Sequence, residues 1–255
     1  MSSVARISTT PVRTFRLDHP EEIALGSDGF DRNRRFLLVN GEGERLRSSA
    51  TSWPIVLRAE FDPQAETLRV VFPGGEAHEA SALGAGERLR PQVGEQRVAA
   101  AVVPGPWEPG LAELAGHPVR IARLERPLDA FGLHHSVTLV SDGSLRTLAE
   151  VAGEPVDGRR FRMLFELAGC EPHEEDGWNG RRLRVGEAIL RVGGPVARCA
   201  FTTRHPETGA RDLDTLRLIS SYRGRRAEDG AILFGVYADV EQPGLVRVGD
   251  RAELV

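Results

Sequence analysis

The chain has 255 residues, of which 40% are hydrophobic and 27% charged, and its formal net charge is −4; these values are typical of a globular protein with one large or two modest domains. They give no positive excess for binding duplex nucleic acid, and no apolar stretch reaches the roughly 18 to 20 residues of a membrane span. Two cysteines, Cys170 and Cys199, are too few for a disulfide framework, and no apolar signal segment follows Met1, so we expect a reducing, cytoplasmic environment.

Short apolar runs recur through the first half of the chain. Each is rich in β-branched residues and is bounded by Gly, Pro, Asp or Asn, a pattern that predicts strands joined by turns. The runs are Phe36–Val39, Ile55–Leu57, Leu68–Phe72, Val98–Val103 and Val119–Ile121. This half is therefore predicted to form a small barrel or curled sheet.

A Pro- and Gly-rich stretch, Pro104–Gly110, interrupts the pattern and predicts a connection between two parts. We place the division between an N-terminal β-barrel-like domain, residues 1–105, and a second domain, residues 106–255. Strands resume after the division. The apolar candidates are Val137–Val140, Phe161–Leu167, Ile232–Val240 and Leu245–Asp250, together with Leu183–Val192, which alternates around Gly186-Glu187 as a hairpin does.

Two short helices are predicted in the second half. One covers Ser144–Val151, with Ser144 as its N-cap after the turn at Asp142-Gly143. The other runs from about Asp214 to Tyr222, where apolar residues recur every three positions and Asp212 is available as a cap. The predicted fold class is therefore mainly β, of the α+β type, with a few short helices.

Every one of the 33 basic residues counted as Lys or Arg is an arginine. The absence of lysine from the sequence excludes a pyridoxal phosphate Schiff base, a Walker A phosphate loop and a lysine-dependent aldolase. The sequence also lacks a Gly-x-Ser-x-Gly elbow and a His-Glu-x-x-His motif. His134 and His135 could ligate a metal, but adjacent residues of a strand point to opposite faces.

Cys199 lies between Arg198 and Ala200-Phe201-Thr202-Thr203, after an apolar strand. A cysteine beside an arginine in a protein with so few thiols is better placed to bind a ligand than to fill a core, since a neighbouring cation helps to lower the thiol pKa. A small buried hydrophobe is the alternative interpretation.

Six ordered segments around this cysteine resemble the MOSC domain, the C-terminal domain of molybdenum cofactor sulfurases, which also occurs in the mitochondrial amidoxime-reducing component and its bacterial relatives. The segments are Arg160–Arg162, Glu175–Gly180, Leu183–Gly186, Ala197–Cys199 with Thr202-Thr203 and His205–Gly209, Phe234–Tyr237, and Pro243–Asp250.

The first part of the chain is similar to the N-terminal β-barrel that accompanies this domain. Thr10–Thr14 resembles the family's opening Tyr-Pro-Val-Lys-Ser, and Asn33–Asn40 resembles its Asp-Arg-x-Trp segment running into a strand. Thr10, Arg13 and Asn33 replace the family's Tyr, Lys and Asp. The resemblance implies an N-terminal barrel (1–105) packed on a MOSC domain (106–255), with the ligand site in the cleft between them.

The resemblance further implies a pyranopterin molybdenum cofactor, with Cys199 in the position of the catalytic cysteine whose thiolate binds molybdenum. A soft, anionic sulfur suits a metal already held by a dithiolene. The cofactor's phosphate calls for cations and hydroxyls, which arginine can supply bidentately. By motif position the cofactor-binding candidates are Arg13, Thr14, Arg34, Arg160, Arg162, Arg198, Ser141 and Ser144; for any single arginine, a solvated surface role is the alternative.

Three positions need separate comment. Met163-Leu164 follows Arg160–Arg162 where family members often have Pro-Asn, so the asparagine that contacts the cofactor is missing. Asp176 and Trp178 match the family's Glu-Asp-x-Trp, but a turn with a packed indole is an equal interpretation. Cys170 matches no ligand position and is expected to be structural.

Two functions from different classes fit these features. The first is an enzyme that reduces a small N-hydroxylated compound at molybdenum, with electrons from a separate flavoprotein and a haem or iron–sulfur carrier, because no cysteine-rich ferredoxin motif follows Gly249-Asp250. The second is a carrier that binds the cofactor, or a sulfane sulfur on Cys199, for delivery to another enzyme. A fold retained without any cofactor is the third alternative.

Overall fold

The computed structural model describes residues 1–47, 51–94, 96–125 and 136–255. In chain order its strands are β1 (Ser2–Ile7), β2 (Glu22–Leu25), β3 (Phe36–Asn40), β4 (Arg58–Asp62), β5 (Thr67–Val71), β6 (Ala77–Ser81), β7 (Arg88–Leu89), β8 (Gln92–Val93), β9 (Gln96–Arg97), β10 (Ala100–Val103), β11 (Val119–Leu124), β12 (Val137–Ser141), β13 (Phe165–Ala168), β14 (Arg182–Val185), β15 (Ala188–Arg198), β16 (Ile232–Gln242), β17 (Gly244–Arg247) and β18 (Arg251–Leu254). The α-helices are α1 (Glu108–Ala115), α2 (Asp142–Ala152) and α3 (Thr215–Arg223), and 3-10 turns span Trp53–Val56, Gly158–Phe161, Glu174–Trp178 and Ala200–Thr203. The predominance of strands confirms the predicted mainly β fold class.

A closed barrel forms the larger part of the molecule, with strand order β1-β13-β12-β16-β15-β14-β18. Its interior is filled by alternate, fully buried side chains such as Ile7, Leu139 and Phe165. β1 pairs antiparallel with both β13 and β18, so the N-terminal strand closes the barrel. β2 pairs with β17, which brings another N-terminal strand onto the same body.

Two open sheets form the rest of the N-terminal region. One has the order β3-β11-β10-β7 and the other the order β4-β5-β6. They share a core in which Phe36 and Phe61 meet edge to face with 5.0 Å between ring centroids, and Trp107 and Leu111 are fully buried beside them. Because β11 pairs with β3 and β10, residues 119–124 complete the N-terminal sheet. The domain division at residue 105 stays a prediction.

One predicted strand is wrong. Ile55–Leu57 is not a strand, because Pro54 opens a 3-10 turn over Trp53–Val56 and the Leu57 N–H donates to the Pro54 carbonyl. Its apolar side chains still enter the core, with Ile55 and Leu57 almost fully buried. The apolar run Phe161–Leu167 contains strand only from Phe165 onward, since its first residue ends the 3-10 turn Gly158–Phe161.

Both predicted helices are present, but both predicted caps are wrong. α2 begins at Asp142, and its N-cap is Ser141, whose Oγ accepts a hydrogen bond of 3.0 Å from the Ser144 N–H. α3 begins at Thr215 and is capped by Asp214, not Asp212. The hairpin predicted around Gly186-Glu187 is confirmed, because β14 pairs antiparallel with β15 across that turn. No helix among the described residues has the length and apolar character needed to cross a membrane.

Candidate cofactor site around Cys199

Cys199 lies at the junction of β15 with the 3-10 turn Ala200–Thr203. Its carbonyl accepts hydrogen bonds from the Thr202 N–H at 3.2 Å and from Thr202 Oγ1 at 3.1 Å. Thr202 Oγ1 also lies 2.7 Å from Thr215 Oγ1, at the start of α3. These bonds fix the backbone at Cys199, whose side chain remains partly exposed.

The N-terminal segment reaches the same place because it runs from the barrel into the N-terminal sheet. The Arg13 N–H donates to the Phe36 carbonyl at 2.8 Å, and the Arg34 N–H donates to the Thr10 carbonyl at 2.7 Å. The Thr10 N–H also donates to the Asn33 side chain at 3.1 Å. These bonds hold the segments around Arg13 and Arg34 side by side.

Three of the predicted site residues have a left-handed backbone. The φ angles are 79° at Thr14, 52° at Arg34 and 53° at Arg162. Such angles are uncommon for residues other than glycine and concentrate at functional sites. The fold thus holds these residues in conformations that the free chain rarely adopts.

One cavity brings seven of the nine predicted residues together. Its lining consists of Arg13, Thr14, Arg34, Arg160, Phe161, Arg162, Arg198, Cys199, Phe201 and Thr202. Sequence reasoning did not single out Phe161, Phe201 and Thr202 as site residues, although each lies beside or within a matched segment. The rings of Phe161 and Phe201 contact guanidinium groups, which explains why they line a charged cavity.

Hydrogen bonds to main-chain carbonyls hold the cavity arginines in place. Arg162 Nη2 donates to the Phe15 carbonyl at 2.7 Å, and Arg34 Nη2 donates to the Arg162 carbonyl. The Arg162 guanidinium lies 5.5 Å from the centroid of the Phe201 ring, within the range of a cation–π contact. The cations are therefore positioned before any ligand binds.

Several contacts hold Arg198 in place. It donates to the Phe234 carbonyl at 2.9 Å, to the Phe161 carbonyl at 3.1 Å and to Met163 Sδ at 2.7 Å. Its guanidinium also lies 5.2 Å from the Phe161 ring centroid. Because Arg198 immediately precedes Cys199, these contacts anchor the end of β15 and so the position of the thiol.

The cavity is electrostatically unbalanced. Burial, together with the nearby positive charges of Arg34 and Arg13, lowers the pKa of Arg162 to about 9. At neutral pH the group is still protonated. A buried cluster of like charges is unfavourable by itself, and an anion placed among these side chains would relieve the repulsion.

Arg160 differs from the other cavity arginines because its charge is already paired. Its Nη1 and Nη2 each lie 2.7 Å from an Asp212 carboxylate oxygen, in bidentate geometry. The Arg160 side chain is only 8% exposed. The pair joins the 3-10 turn Gly158–Phe161 to the segment before α3, so Arg160 borders the cavity while its guanidinium fork is occupied by Asp212.

Ser141 and Ser144 do not line the cavity. Both hydroxyls donate to the buried Glu175 carboxylate at 2.6 Å, and Ser144 Oγ lies 3.0 Å from His173 Nδ1. Ser141 caps α2, and both hydroxyls tie the helix to the turn Glu174–Trp178. That they bind the cofactor stays a prediction, and their hydrogen bonds account for them within the fold.

The remaining sequence candidates also have defined surroundings. Asp176 accepts a hydrogen bond of 2.6 Å from Arg223, and Trp178 is 3% exposed in the barrel core. Met163 and Leu164 are both buried, and the Met163 sulfur accepts from Arg198. Burial raises the pKa of Cys170 to about 12, with smaller contributions from nearby carboxylates, so its thiol is protonated at neutral pH.

The possible metal-ligating pair His134-His135 lies outside the described residues. Among residues 1–47, 51–94, 96–125 and 136–255, no three His, Cys, Asp or Glu side chains are grouped so that they could hold a metal ion. Of the ten residues that line the cavity, Cys199 alone carries a thiol.

Comparison with known families relates part of the chain to one of them. The family model described as MOSC domain matches residues 129–253, a range that includes Arg160, Arg162, Arg198 and Cys199. Among curated proteins, mitochondrial amidoxime-reducing component 1 of Homo sapiens is 32% identical over 146 residues, covering 54% of this chain and 43% of that protein. The protein of the same name from Xenopus laevis is 35% identical over 120 residues, covering 45% and 34%.

Molybdenum cofactor sulfurase of Oryza sativa subsp. japonica is 35% identical over 89 residues, covering 34% of this chain and 10% of that protein. The matched region thus spans less than half the length of each of these curated relatives. Among solved structures, the YuaD protein of Bacillus subtilis aligns over 100% of this chain and 96% of its own, at 12% identity and a TM-score of 0.44.

Proposed function

Since this chain is a MOSC-domain protein, we propose that it binds a pyranopterin molybdenum cofactor in the cavity around Cys199. The observation that carries the proposal is the composition of that cavity: one thiol beside a cluster of arginines, among which burial and the like charges of Arg34 and Arg13 lower the pKa of Arg162. Such a cavity suits a ligand that is anionic at one end and offers a thiophilic metal at the other.

The residues present fit this cofactor. A thiolate would be a suitable further ligand for a metal already held by an organic dithiolene. Arg13, Arg34 and Arg162 would hold the phosphate, because all three line the cavity and their charges interact there. Arg198 keeps the end of β15, and with it the thiol, in place.

Arg160 has a different proposed role. Its fork is occupied by Asp212, so it acts as a positioning residue that holds the segment before α3 against the cavity. Thr14 and Thr202 add hydroxyl groups to the lining. Phe161 and Phe201 provide flat apolar walls that exclude water from the space between the cations.

The proposed reaction is the two-electron reduction of an N-hydroxylated compound. The N–O bond breaks, the nitrogen gains a hydrogen, and the oxygen leaves as water after the uptake of two electrons and two protons. When bound, the molybdenum centre supplies the two-electron redox chemistry. We propose that a separate protein delivers the electrons. The names of the mammalian and amphibian relatives support the substrate class, since they describe reduction of amidoximes.

Molybdenum analysis combined with a reductase assay tests the proposal. The protein is produced in a host that makes the cofactor, and reduction of benzamidoxime is followed with reduced methyl viologen as the donor. We expect about one molybdenum per chain and turnover of benzamidoxime. Cofactor binding without turnover would favour the carrier function, and a protein that takes up no molybdenum would refute the proposal.

Cysteine variants sharpen the test. Cys199→Ala should lose turnover and its metal–thiolate absorption while unfolding at nearly the wild-type temperature, because only a small, partly exposed side chain is removed. Cys170→Ala is the matched control, as the other cysteine of the chain, and should keep its molybdenum and its activity. Full activity in Cys199→Ala would exclude Cys199 as the metal ligand.

Arginine variants test the phosphate anchor separately. Arg34→Gln should lower cofactor occupancy rather than turnover per bound molybdenum, since loss of one charge-assisted contact reduces affinity by about ten- to hundredfold. Arg88→Gln, at a site whose side chain is 83% exposed, is the control. Unchanged occupancy in an Arg13→Gln, Arg34→Gln double variant would show that the N-terminal region does not hold the phosphate.

A further inference from the structure

Four arginines lie near the Cys199 end of the cofactor cavity without lining it. We call them the basic rim, and they are Arg45, Arg47, Arg204 and Arg211. Cys199 itself is partly exposed. The basic rim is a second concentration of positive charge, separate from the arginines of the cavity lining, in a chain whose formal net charge is −4.

The first part of the basic rim follows β3. Residues 45–47 run antiparallel to that strand through a bridge between Val39 and Arg45. Arg45 also lines a small recess that adjoins the cavity. Burial and the positive charge of Arg47 lower the pKa of Arg45, whereas a thiolate at Cys199 raises it. Arg45 is therefore within electrostatic reach of both Arg47 and the proposed metal ligand.

The second part of the basic rim is the hairpin after the 3-10 turn Ala200–Thr203. Arg204 and Arg211 pair across this hairpin, and Arg204 Nη1 donates to the Gly209 carbonyl at 3.0 Å. Burial and the charge of Arg211 lower the pKa of Arg204. A Cβ on Gly209 would lie 2.7 Å from the Ser52 carbonyl oxygen. The hairpin thus packs against the segment that follows the first part of the basic rim in the chain.

Two members of the basic rim carry exposed charge that no carboxylate offsets. Arg47 and Arg211 are exposed, and neither forms an ion pair with any residue that the structure describes. Three carboxylates close to them in sequence are already bound to other arginines: Asp212 to Arg160, Glu207 to Arg159 and Glu44 to Arg97. Arg47 and Arg211 therefore present positive charge to solvent.

Building on the proposed function, we propose that the basic rim is the docking surface for the protein that delivers electrons, and that this partner presents an acidic patch around its redox group. Clustered charge of one sign steers a partner of opposite charge and fixes its orientation. Redox encounters bury small interfaces, so a few arginines beside the site are enough. A partner seated there lies next to the end of the cavity that carries Cys199.

Steady-state kinetics on the molybdenum-loaded protein test this with two donors for benzamidoxime reduction. One is reduced methyl viologen, a small cation that needs no docking surface, and the other is a reduced plant-type [2Fe–2S] ferredoxin with an acidic surface. We expect the KM for ferredoxin to rise as salt is increased from about 20 to about 200 mM. At low salt, Arg47→Glu, Arg211→Glu should raise this KM by about tenfold or more, while the rate with methyl viologen and the molybdenum content stay within about twofold.

Arg88→Glu, Arg184→Glu is the matched control, because it makes the same change in net charge at exposed arginines of β7 and β14. An equal rise in KM in this control would overturn the inference in favour of a general effect of net charge. Loss of binding to phosphatidylserine vesicles in Arg47→Glu, Arg211→Glu, with unchanged ferredoxin kinetics, would overturn it in favour of a membrane surface. A wild-type protein that uses methyl viologen but not ferredoxin refutes this inference alone, whereas a wild-type protein without molybdenum overturns the proposed function as well.

Discussion

Gly235 offers a direct test of how closely the barrel wall is packed behind the site. This residue lies in β16 with a φ of 73°, and a Cβ there would approach the Leu139 carbonyl oxygen to 2.6 Å and Met163 Cε to 2.4 Å. The methionine can move, but the carbonyl belongs to the neighbouring strand β12 and cannot. Gly235→Ala should therefore strain both the backbone and the β12–β16 pairing.

A second glycine separates the expected loss of stability in Gly235→Ala into two parts. Gly153, at the C-terminal end of α2, has the same φ of 73°, but an added Cβ there meets nothing within 4 Å. Gly153→Ala should cost only the left-handed backbone penalty, about 1–2 kcal/mol. Gly235→Ala adds steric overlap, which costs about 1–3 kcal/mol in a packed interior. We expect it to be the less stable variant by about 2 kcal/mol.

Urea unfolding followed by tryptophan fluorescence measures this difference, with thermal unfolding as a second measure. About 2 kcal/mol corresponds to a midpoint lower by about 4–8 °C than that of Gly153→Ala in a protein of this size. Equal destabilisation of the two variants would refute the steric argument. Because Met163 Sδ accepts a hydrogen bond from Arg198, displacement of Met163 should also lower molybdenum occupancy in Gly235→Ala, but not in Gly153→Ala.

Three further predictions follow from groups around the site. A small thiol reagent at neutral pH should modify Cys199 but not Cys170, whose pKa of about 12 and 3% exposure keep it protonated and covered, and equal labelling rates measured by mass spectrometry would contradict this. The hydrogen bonds from Arg160 lower the pKa of Asp212, so the pair stabilises the fold above the unfolded pKa of about 3.9 and loses this effect as the pH falls through the lower folded pKa. The stability of Asp212→Asn should therefore depend less steeply on pH below about pH 4. An unchanged slope in acid unfolding would exclude the pair as the source of that dependence. Glu175→Gln should lower stability by about 1–3 kcal/mol, since a buried acceptor of two hydroxyls is altered, while molybdenum per folded chain stays constant; a selective loss of molybdenum would instead indicate a role at the cofactor.

Local sequence patterns predicted much of the barrel because its strands carry their own signals. The alternation of Leu183–Val192 around Gly186-Glu187 specifies a hairpin whose partners are adjacent in the chain. No local pattern in the sequence indicates the partner of β1, the strand that closes the barrel. β1 pairs with β13, and Val4 opposes Leu167 more than 160 positions away. Only the packing of the whole interior selects that partner.

The helix caps show a second limit of prediction from the sequence. Ser141, Ser144, Asp212 and Asp214 all have side chains that can cap a helix, and residue type alone does not choose among them. The choice depends on other partners: Asp212 is bound to Arg160, and Ser144 shares Glu175 with Ser141. Such competition for hydrogen bonds is decided by tertiary structure.

The site candidates reflect the same distinction. Family resemblance identified Arg13, Arg34, Arg162 and Cys199, and the fold brings all four to one cavity. It could not separate Arg160 from them, because the pairing with Asp212 depends on two segments 52 residues apart.

The charged residues of the cavity come from two parts of the fold. Arg13 and Arg34 come from the N-terminal segments that run between β1 and β3, whereas Arg162 and Arg198 border the barrel. Burial and the like charges of Arg13 and Arg34 lower the pKa of Arg162, so Arg162 and the two N-terminal arginines repel each other across the cavity they share. An anion bound between them converts that repulsion into attraction on both sides. Ligand binding and the packing of the N-terminal segments on the barrel are therefore linked, and the free energy of one contributes to the other.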